Sequence, residues 1–277
     1  MIRLVTLNMC LWPLGLRQCY ASTNKDQRLN QLIQILLDRH SELGSADVVC
    51  LQEFFDAVYS RKFTQQLRKA LEGSPWHIST GPNTSWCNLL SQGSLLNSGL
   101  IILSKQEPIQ VHFESFQSNP AIMGWMNAGF LEIELEHNHI INCHLYPNEG
   151  GVDAHLIREK QLHQMRNHID DLSNKAVVIS GDFNIHQSSN EYKRMEIILN
   201  TTTSSLLSNN LNPCTMHVQH NWAYHSEFLS SDYACGIASD SVCVCEFKET
   251  KILYNYGCLS DHYPVTTCIV NKNDETS

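Results

Sequence analysis

The sequence contains no apolar stretch long enough to cross a membrane as a helix. Such a helix needs about 20 consecutive apolar residues, and no run among the 277 residues approaches this length. The apolar run from Met1 to Leu7 is too short for the hydrophobic region of a secretory signal peptide. We therefore expect a protein that is cytoplasmic or bound peripherally to a membrane, unless a leader was removed or a non-standard route exports it.

Basic residues are scarce relative to acidic ones. The 19 Lys and Arg against 28 Asp and Glu give a formal net charge of -9, which disfavours a broad basic surface for binding a nucleic-acid backbone. The 42% hydrophobic and 17% charged fractions are typical of a globular protein with a sizeable core. We predict one domain over residues 1–270 with a flexible tail over residues 271–277, and the sequence leaves the oligomeric state open.

The sequence also lacks a CxxC pair, although it contains 11 cysteines. Without such pairs, a structural zinc site built from cysteines is poorly supported. The cysteine count is odd, and several cysteines lie inside apolar runs, where a free thiol behaves as a small hydrophobic side chain. This usage favours a reducing compartment.

Short runs rich in β-branched residues recur along the chain and predict strands. They are Ile2 to Leu7, Val48 to Leu51, Leu100 to Leu103, Phe130 to Leu135, Ile140 to Leu145, Val177 to Ile179, Val242 to Cys245 and Val265 to Val270. Between them, apolar residues at helical spacing predict helices around 29–37, 63–71 and 162–172. Strands interleaved with helices and with a hairpin-like turn at Glu136 to His139 favour a layered α/β domain with mixed sheets.

Polar side chains stand at the ends of many of these strands. They are Asn8, Glu53, His144, Asp182, Asn184 and the pair Asp261 and His262. Loops at strand ends are where a layered sheet places a reactive cleft. We therefore expect Asn8, Glu53, His144 and Asp182 to share one cleft.

Each of these residues taken alone has a structural alternative. Gly181 to Asn184 is a turn-forming sequence, and Ser260 to His262 could form an Asx turn. Glu53 could be a solvated strand end, Asn8 could cap a loop, and His144 could be a core histidine. The catalytic interpretation is favoured because all of these alternatives would have to apply at once.

The order of short motifs resembles that of the endonuclease/exonuclease/phosphatase superfamily. The motifs are Leu7-Asn8, Leu51-Gln52-Glu53, Asn97-Ser98-Gly99-Leu100 with Ser104-Lys105, Asn142-Cys143-His144-Leu145, Ser180-Gly181-Asp182-Phe183-Asn184 and Ser260-Asp261-His262. The resemblance covers about residues 2 to 270 and implies a DNase I-like fold, a four-layer α/β sandwich of two mixed β-sheets flanked by helices. It also implies a metal-dependent phosphoric ester hydrolase with the metal at one edge of the sandwich.

The resemblance further implies a role for each residue of the site. Glu53 is the principal metal ligand with Asn8 in or beside the coordination shell, and Asp232 is the late acidic ligand, with Asp240 as a poorer candidate. Asp182 orients or deprotonates the attacking water, while Asn184 and His144 contact phosphate oxygens. His262, oriented by Asp261, stabilises the developing charge or supports proton transfer. Carboxylate and amide oxygens suit Mg²⁺, so Mg²⁺ is the expected ion and Mn²⁺ the alternative.

Within the superfamily, the segment around His144 looks most like neutral sphingomyelinases. His144-Leu145-Tyr146-Pro147 precedes a helix that carries His155 and Gln161, although Asn127-Ala128-Gly129 stands where that family often has a Lys-Gly pair. The resemblance implies phospholipase-C-type hydrolysis of sphingomyelin or a related phospholipid at a membrane surface. The alternative is a nuclease, or a nucleotide or inositol phosphate phosphoesterase, on the same scaffold. A binding module without catalysis is a third reading, which no replaced core position supports.

Two apolar loops are suited to contact with a membrane. Leu11 to Leu16 contains Trp12, and Ile122 to Met126 contains Trp125. Tryptophan suits the boundary between polar and apolar surroundings, so both side chains are candidate anchors. The alternative is that both loops pack into the core or onto one another.

Overall fold

The computed structural model describes residues 1–12, 24–57, 62–82, 95–119, 126–147, 153–172, 175–186, 189–200, 202–203, 232–237, 245–253, 255, 259–260 and 264–271. In chain order its elements are β1 (Ile2–Leu11), α1 (Lys25–Leu37), α2 (Glu42–Ser45), β2 (Val48–Phe54), α3 (Lys62–Ala70), β3 (His77–Thr80), β4 (Ile101–Ser104), β5 (Gln110–Ser115), β6 (Gly129–Glu134), β7 (Asn138–His144), α4 (Ala154–Asp170), β8 (Ala176–Asp182), α5 (Asn190–Leu199), β9 (Thr202–Thr203), β10 (Asp232–Ile237), β11 (Cys245–Ile252) and β12 (Val265–Asn271).

The described strands form two six-stranded mixed sheets. The first has the order β11-β12-β1-β2-β4-β3, and the second has the order β5-β6-β7-β8-β10-β9. The first sheet has its parallel pair at β1 and β2, the second at β7 and β8, and the other neighbours are antiparallel. The chain passes from the first sheet to the second and returns with β11 and β12 to complete the first.

Three apolar clusters define the layers. The side chains of α1, such as Leu32, pack against the first sheet, while those of α4 and α5, such as Met165 and Met195, pack against the second. A third cluster, including Cys50 and Val178, fills the space between the two sheets. The order of layers is therefore helix, sheet, sheet, helix, which confirms the four-layer α/β sandwich predicted from the sequence.

The helix that covers the first sheet is amphipathic. Its buried apolar residues are Leu29, Leu32, Ile33 and Leu36, at the spacing of one helical face. Burying each such side chain contributes about 1.5–3 kcal/mol relative to leaving it in water. The apolar stripe is narrower than the sequence predicted, because Leu37 is 43% exposed. Arg28 is buried on this helix beside the stripe.

A buried carboxylate joins the second sheet to α4. Glu132 on β6 is 4% exposed, its Oε1 lies 2.6 Å from Nδ1 of His139 on β7, and its other oxygen pairs with Nε2 of His168 on α4. Burial by itself raises the pKa of Glu132, but the hydrogen bonds and charges of the two histidines outweigh it and lower the pKa to about 2. Both oxygens of this carboxylate are therefore engaged by imidazole nitrogens.

The predicted strands at Ile2–Leu7, Val48–Leu51 and Ile140–Leu145 are confirmed to within a few residues as β1, β2 and β7. Strands β3, β5 and β10 were not predicted from the pattern of apolar residues. Of the strand predicted at 242–245, residues 242–244 lie outside the described residues, and β11 begins at Cys245. No helix in the described part of the chain is long and apolar enough to span a bilayer.

Candidate active site

The two sheets bring four of the predicted residues into one cleft. Asn8 lies on β1 opposite Gln52 of β2, and Glu53 follows Gln52 directly. In the second sheet, His144 of β7 lies opposite Asp182 of β8. The amide Nδ2 of Asn8 donates a hydrogen bond of 3.0 Å to Oδ2 of Asp182 and so joins the two sheets. The expectation that these residues converge is confirmed.

His144 lies between the two carboxylates of the cleft. Its Nε2 is 3.8 Å from Oε1 of Glu53 and 3.8 Å from Oδ2 of Asp182. The side chains of Glu53 and Asp182 are only 4% and 3% exposed. Two carboxylates removed from water and directed at one point create a strongly negative site. This set of hard oxygen donors fits a divalent cation such as Mg²⁺, which favours carboxylate and amide oxygens.

The backbone at the site adopts a conformation that side chains seldom favour. Cys10, Glu53 and Asn184 all have positive φ, at 48°, 51° and 51°, and the pairing of β1 with β2 shifts register between Asn8 and Leu11. Non-glycine residues in this region each cost on the order of 1–3 kcal/mol, and they persist where the surrounding structure holds them. The strained residues lie at or beside the cleft, as is common at functional sites.

The turn considered as an alternative for Gly181 to Asn184 takes the form of an Asx turn from Asp182, the last residue of β8, to Asn184. Oδ1 of Asp182 accepts a hydrogen bond of 2.9 Å from the backbone N–H of Asn184. Nδ2 of Asn184 donates to the carbonyl of Leu145 at 2.9 Å, so one hydrogen of this amide is committed to the scaffold. The turn and the catalytic interpretation are compatible, because the turn fixes the orientation of the Asp182 carboxylate.

Gly181 allows β7 and β8 to approach closely beside the cleft. It has φ of +146°, and a Cβ at this position would lie 2.0 Å from the carbonyl oxygen of Cys143. A side chain there would push β8 away from β7 one residue before the paired His144 and Asp182. The glycine of this motif is therefore required by the spacing of the two strands.

Strand β10 places the backbone of Asp232 beside the site. The strand pairs antiparallel with β8, and Asp232 lies opposite Asp182. His144, Asp182 and Asp232 are thus aligned across three adjacent strands of the second sheet. Asp240, the poorer candidate, lies outside the described residues, as do Asp261 and His262.

Trp12 contacts the site, which the sequence did not indicate. Its indole N–H donates to Oε2 of Glu53, and its ring packs on Phe55 with centroids 4.6 Å apart. Trp12 also packs, half-buried, against the cluster that contains Ala57. The packing alternative therefore holds for Trp12, while Trp125 lies outside the described residues.

Arg28 is a second residue that sequence reasoning missed. Its guanidinium is buried and donates to the carbonyls of Met9 at 2.7 Å, Cys10 at 3.1 Å and Leu259 at 2.8 Å. Met9 and Cys10 follow Asn8, and Leu259 stands two residues before Asp261. The only signal in the sequence is a charged residue immediately before the apolar stripe of α1.

A buried amide network underlies the cleft. Nε2 of Gln52 donates to Thr6 at 3.0 Å and to Oδ1 of Asn142 at 2.7 Å. Asn142 on β7 donates in turn to the carbonyls of Leu51 and Ile101 in the other sheet. Because a buried polar group without a partner costs about 1–3 kcal/mol, this network fixes the docking of the two sheets directly below Glu53 and His144.

A small pocket opens beside His144. Its lining includes apolar side chains and polar groups, among them Phe55, Met126, Tyr146, Ser98 and Gln161. Gln161 is held by the backbone N–H of Tyr146 at 3.0 Å. It has room for about one water molecule, and it adjoins the side chain predicted to contact phosphate.

Comparison with known proteins agrees with this geometry. A family model described as the Endonuclease/Exonuclease/phosphatase family matches residues 18–242. The sequence is similar to Sphingomyelinase C of Leptospira interrogans, with 25% identity over 217 residues, which is 72% of this chain and 37% of that protein. The chain thus spans well under half the length of this relative.

Solved structures share the fold over nearly the whole chain. Sphingomyelinase C from Streptomyces griseocarneus has a TM-score of 0.73 at 18% identity, covering 96% of this chain and 98% of that one. A mutant of beta toxin from Staphylococcus aureus with bound magnesium ions has a TM-score of 0.70 at 20% identity, covering 96% and 98%. TDP2 of D. rerio complexed with a single-strand DNA product has a TM-score of 0.67 at 15% identity, covering 97% and 98%. These likenesses confirm the DNase I-like fold.

Proposed function

We propose, from the premise that the chain belongs to the endonuclease/exonuclease/phosphatase family, that it hydrolyses sphingomyelin or a related phospholipid with the help of a divalent metal. Family membership makes the chain a hydrolase of phosphoesters; the metal and the lipid substrate are the proposal. The observation that carries it is the pair of buried carboxylates, Glu53 and Asp182, directed at one nitrogen of His144.

Glu53 and Asn8, with Asp232, are the residues proposed to hold the metal, for which Mg²⁺ is the expected ion and Mn²⁺ the alternative. Once bound, the ion supplies charge neutralisation at the phosphoryl oxygens and lowers the pKa of water. Trp12 donates to Oε2 of Glu53, and Oε1 lies 3.8 Å from Nε2 of His144.

Asp182 is proposed to orient the attacking water and to take its proton. Its two oxygens are fixed by Asn8 and by the backbone N–H of Asn184, so the carboxylate is positioned before substrate arrives. Fixed donors directed at developing charge contribute strongly in a site with little water. His144 and the second amide hydrogen of Asn184 would donate to phosphate oxygens, and His262, oriented by Asp261, would stabilise or protonate the leaving oxygen.

The lipid part of the proposal is supported by the charge of the chain. The formal net charge of -9 disfavours a long polyanionic substrate. Similarity to two sphingomyelinases supports the same substrate class. Because Trp12 packs against Glu53, membrane contact is assigned to the loop from Ile122 to Met126, which contains Trp125.

A nuclease is the second candidate function. It is favoured by the likeness to a structure complexed with a single-strand DNA product. On this alternative the same metal, water and phosphate contacts would act on a nucleic-acid phosphodiester.

The test is a panel of substrates with and without Mg²⁺. We expect Mg²⁺-dependent release of the phosphorylated headgroup from sphingomyelin vesicles, and little turnover of single-stranded DNA, RNA or inositol phosphates. Glu53→Gln, which keeps size but removes the charge, should lose most of the Mg²⁺-dependent activity and so exclude a contaminating enzyme. Turnover of DNA or RNA that exceeds turnover of the lipid would replace the lipid proposal with the nuclease.

Membrane contact is tested with Trp125→Ala on two substrates. The variant should bind vesicles more weakly and turn over vesicle-embedded substrate more slowly, while a small soluble phosphodiester is spared. Trp12→Ala provides the contrast, because loss of its contact with Glu53 should depress both substrates together. Unchanged vesicle activity in the Trp125 variant would remove this loop from the mechanism.

A further inference from the structure

A second group of metal-ligating side chains lies far from the cleft. His112 and Glu114 are on β5, at the edge of the second sheet, and His168 is in the last turn of α4. The buried Glu132 connects His168 to His139 on β7. His139 and His144 are five residues apart on that strand, so these two histidines are separated by roughly 16 Å. The two sites are separate.

We propose that His112, Glu114 and His168 together bind one Zn²⁺ ion. One ligand atom from each residue lies within 4.8 Å of the others. Oε2 of Glu114 is 3.9 Å from Nε2 of His112 and 3.7 Å from Nδ1 of His168. Around a tetrahedral zinc ion, ligand atoms lie roughly 3.3–3.6 Å apart, so the two contacts of Glu114 need to shorten by only a few tenths of an ångström.

The supporting contacts of these residues match those of bound metal ligands. A histidine that binds a metal through one ring nitrogen usually donates the other N–H to a carboxylate, and ligating carboxylates are themselves hydrogen-bonded. Nε2 of His168 pairs with buried Glu132, which leaves Nδ1 facing Glu114. Oε1 of Glu114 accepts from Nε2 of Gln164 at 2.5 Å, which leaves Oε2 facing the two histidines. Glu114 and His168 are thus held in the orientation that a ligand needs.

His112 supplies an independent indication. Among the described residues, its Nε2 is buried and has no hydrogen-bond partner, which is costly for a ring nitrogen unless something else engages it. The imidazole rings of His112 and His168 are parallel with centroids 4.9 Å apart. A metal must lie in the plane of each ligating ring, so the ring of His112 turns out of this stack when the ion binds. Its side chain is 42% exposed and has room to turn.

Zinc is the ion of choice by ligand chemistry. Two imidazoles and one carboxylate are a common zinc set, with water as the fourth ligand, whereas Mg²⁺ prefers oxygen ligands alone. The partial exposure of His112 and Glu114 leaves space for that water. The ion would link the edge strand β5 to α4 and so hold this edge of the second sheet against the helix.

The test is a zinc titration of the tag-free protein in the presence of excess Mg²⁺, which occupies the proposed catalytic carboxylates. His112→Phe keeps the stacked ring but removes the ligand. His163→Ala is the matched control, since His163 is an exposed histidine on α4, the helix that carries His168. We expect the wild-type protein and His163→Ala to bind one more equivalent of zinc than His112→Phe. Zinc at about a hundredfold excess over its dissociation constant should raise their Tm by roughly 5 °C and leave that of His112→Phe unchanged.

Two further measurements keep the outcome decisive. Glu114→Gln should also lose the equivalent of zinc, and it replaces His112→Phe in the test if that variant does not fold. Glu53→Gln should keep the equivalent of zinc, which separates this site from the proposed catalytic one. Cobalt substitution reports the ligands, because cysteine-bound cobalt gives a thiolate charge-transfer band. Equal zinc stoichiometry in wild type, His112→Phe and Glu114→Gln, or a thiolate band from the bound equivalent, would overturn the proposal.

Discussion

Arg28 should matter to both the stability and the activity of this protein, although it lies outside the cleft. It is 4% exposed, and its guanidinium donates to three carbonyl oxygens at 2.7–3.1 Å. Hydrogen bonds from a charged donor contribute about 1.5–3 kcal/mol each. Lysine carries a single ammonium group that cannot span the three positions. In Arg28→Lys we therefore expect a loss of about 3 kcal/mol, which corresponds to a fall in Tm of roughly 5 °C.

The effect on activity follows from what the three carbonyls anchor. Met9 and Cys10 adjoin Asn8, and Leu259 precedes Asp261 and His262. Release of these segments would misplace groups on both sides of the proposed reaction centre, and misplacement by about 1 Å can cost on the order of 10²-fold in rate. We expect kcat on a soluble phosphodiester to fall by at least about tenfold at a temperature where Arg28→Lys remains fully folded.

The matched control is Arg68→Lys. Arg68 is exposed, and within the described part of the chain it makes two long hydrogen bonds, both of 3.4 Å, so its replacement should change Tm and kcat little. Thermal melts by circular dichroism and steady-state kinetics on the same preparations give both quantities. If the activity of Arg28→Lys falls only in proportion to the unfolded fraction, or equally in Arg68→Lys, the positioning role of Arg28 is refuted.

Three further outcomes are expected. Glu53→Gln should lose most Mg²⁺-dependent activity with little change in Tm, and full activity at limiting Mg²⁺ would exclude Glu53 as the principal ligand. Gly181→Ala should be destabilised by about 2–4 kcal/mol, because its Cβ meets the Cys143 carbonyl at 2.0 Å and its φ is +146°; a wild-type urea midpoint would contradict the strand-spacing argument. Trp12→Phe keeps the ring but removes the donor to Glu53, and should weaken Mg²⁺ binding roughly 10–100-fold in a calorimetric titration. That effect should vanish in the Glu53→Gln background, whereas equal losses in both backgrounds would show that Trp12 acts elsewhere.

The catalytic end of the sheets was predictable because strand periodicity and polar residues coincide there. Asn8, Glu53, His144 and Asp182 each stand at the end of a short β-branched run, and the packing of the two sheets brings these ends together. The motif order then separated this pattern from a set of unrelated turns. The structure confirms the convergence, while the chemical roles of the residues stay predictions.

Other parts of the site depend on contacts that no local pattern encodes. Arg28 reads as one more charged residue of a helix, and only the fold shows that three carbonyls surround it. Trp12 is of a residue type that suits a membrane anchor, but its indole N–H donates to Glu53 inside the cleft. Strand β5 escaped prediction because its sequence, Gln110–Ser115, is largely polar and its residues are at most half-buried. In each case a partner distant in sequence decides the outcome.

The order of strands in the first sheet has a consequence for the chain during its synthesis. Strand β1 pairs on one side with β2 and on the other with β12, which is translated more than 200 residues later. At about 5–20 residues per second, the β12 side of β1 stays without its partner for at least roughly 10 s. An unpaired strand edge is a template for association with other chains. The nascent protein therefore carries an unpaired strand edge close to Asn8, and the return of the last strand removes that edge by placing Val265 opposite Thr6.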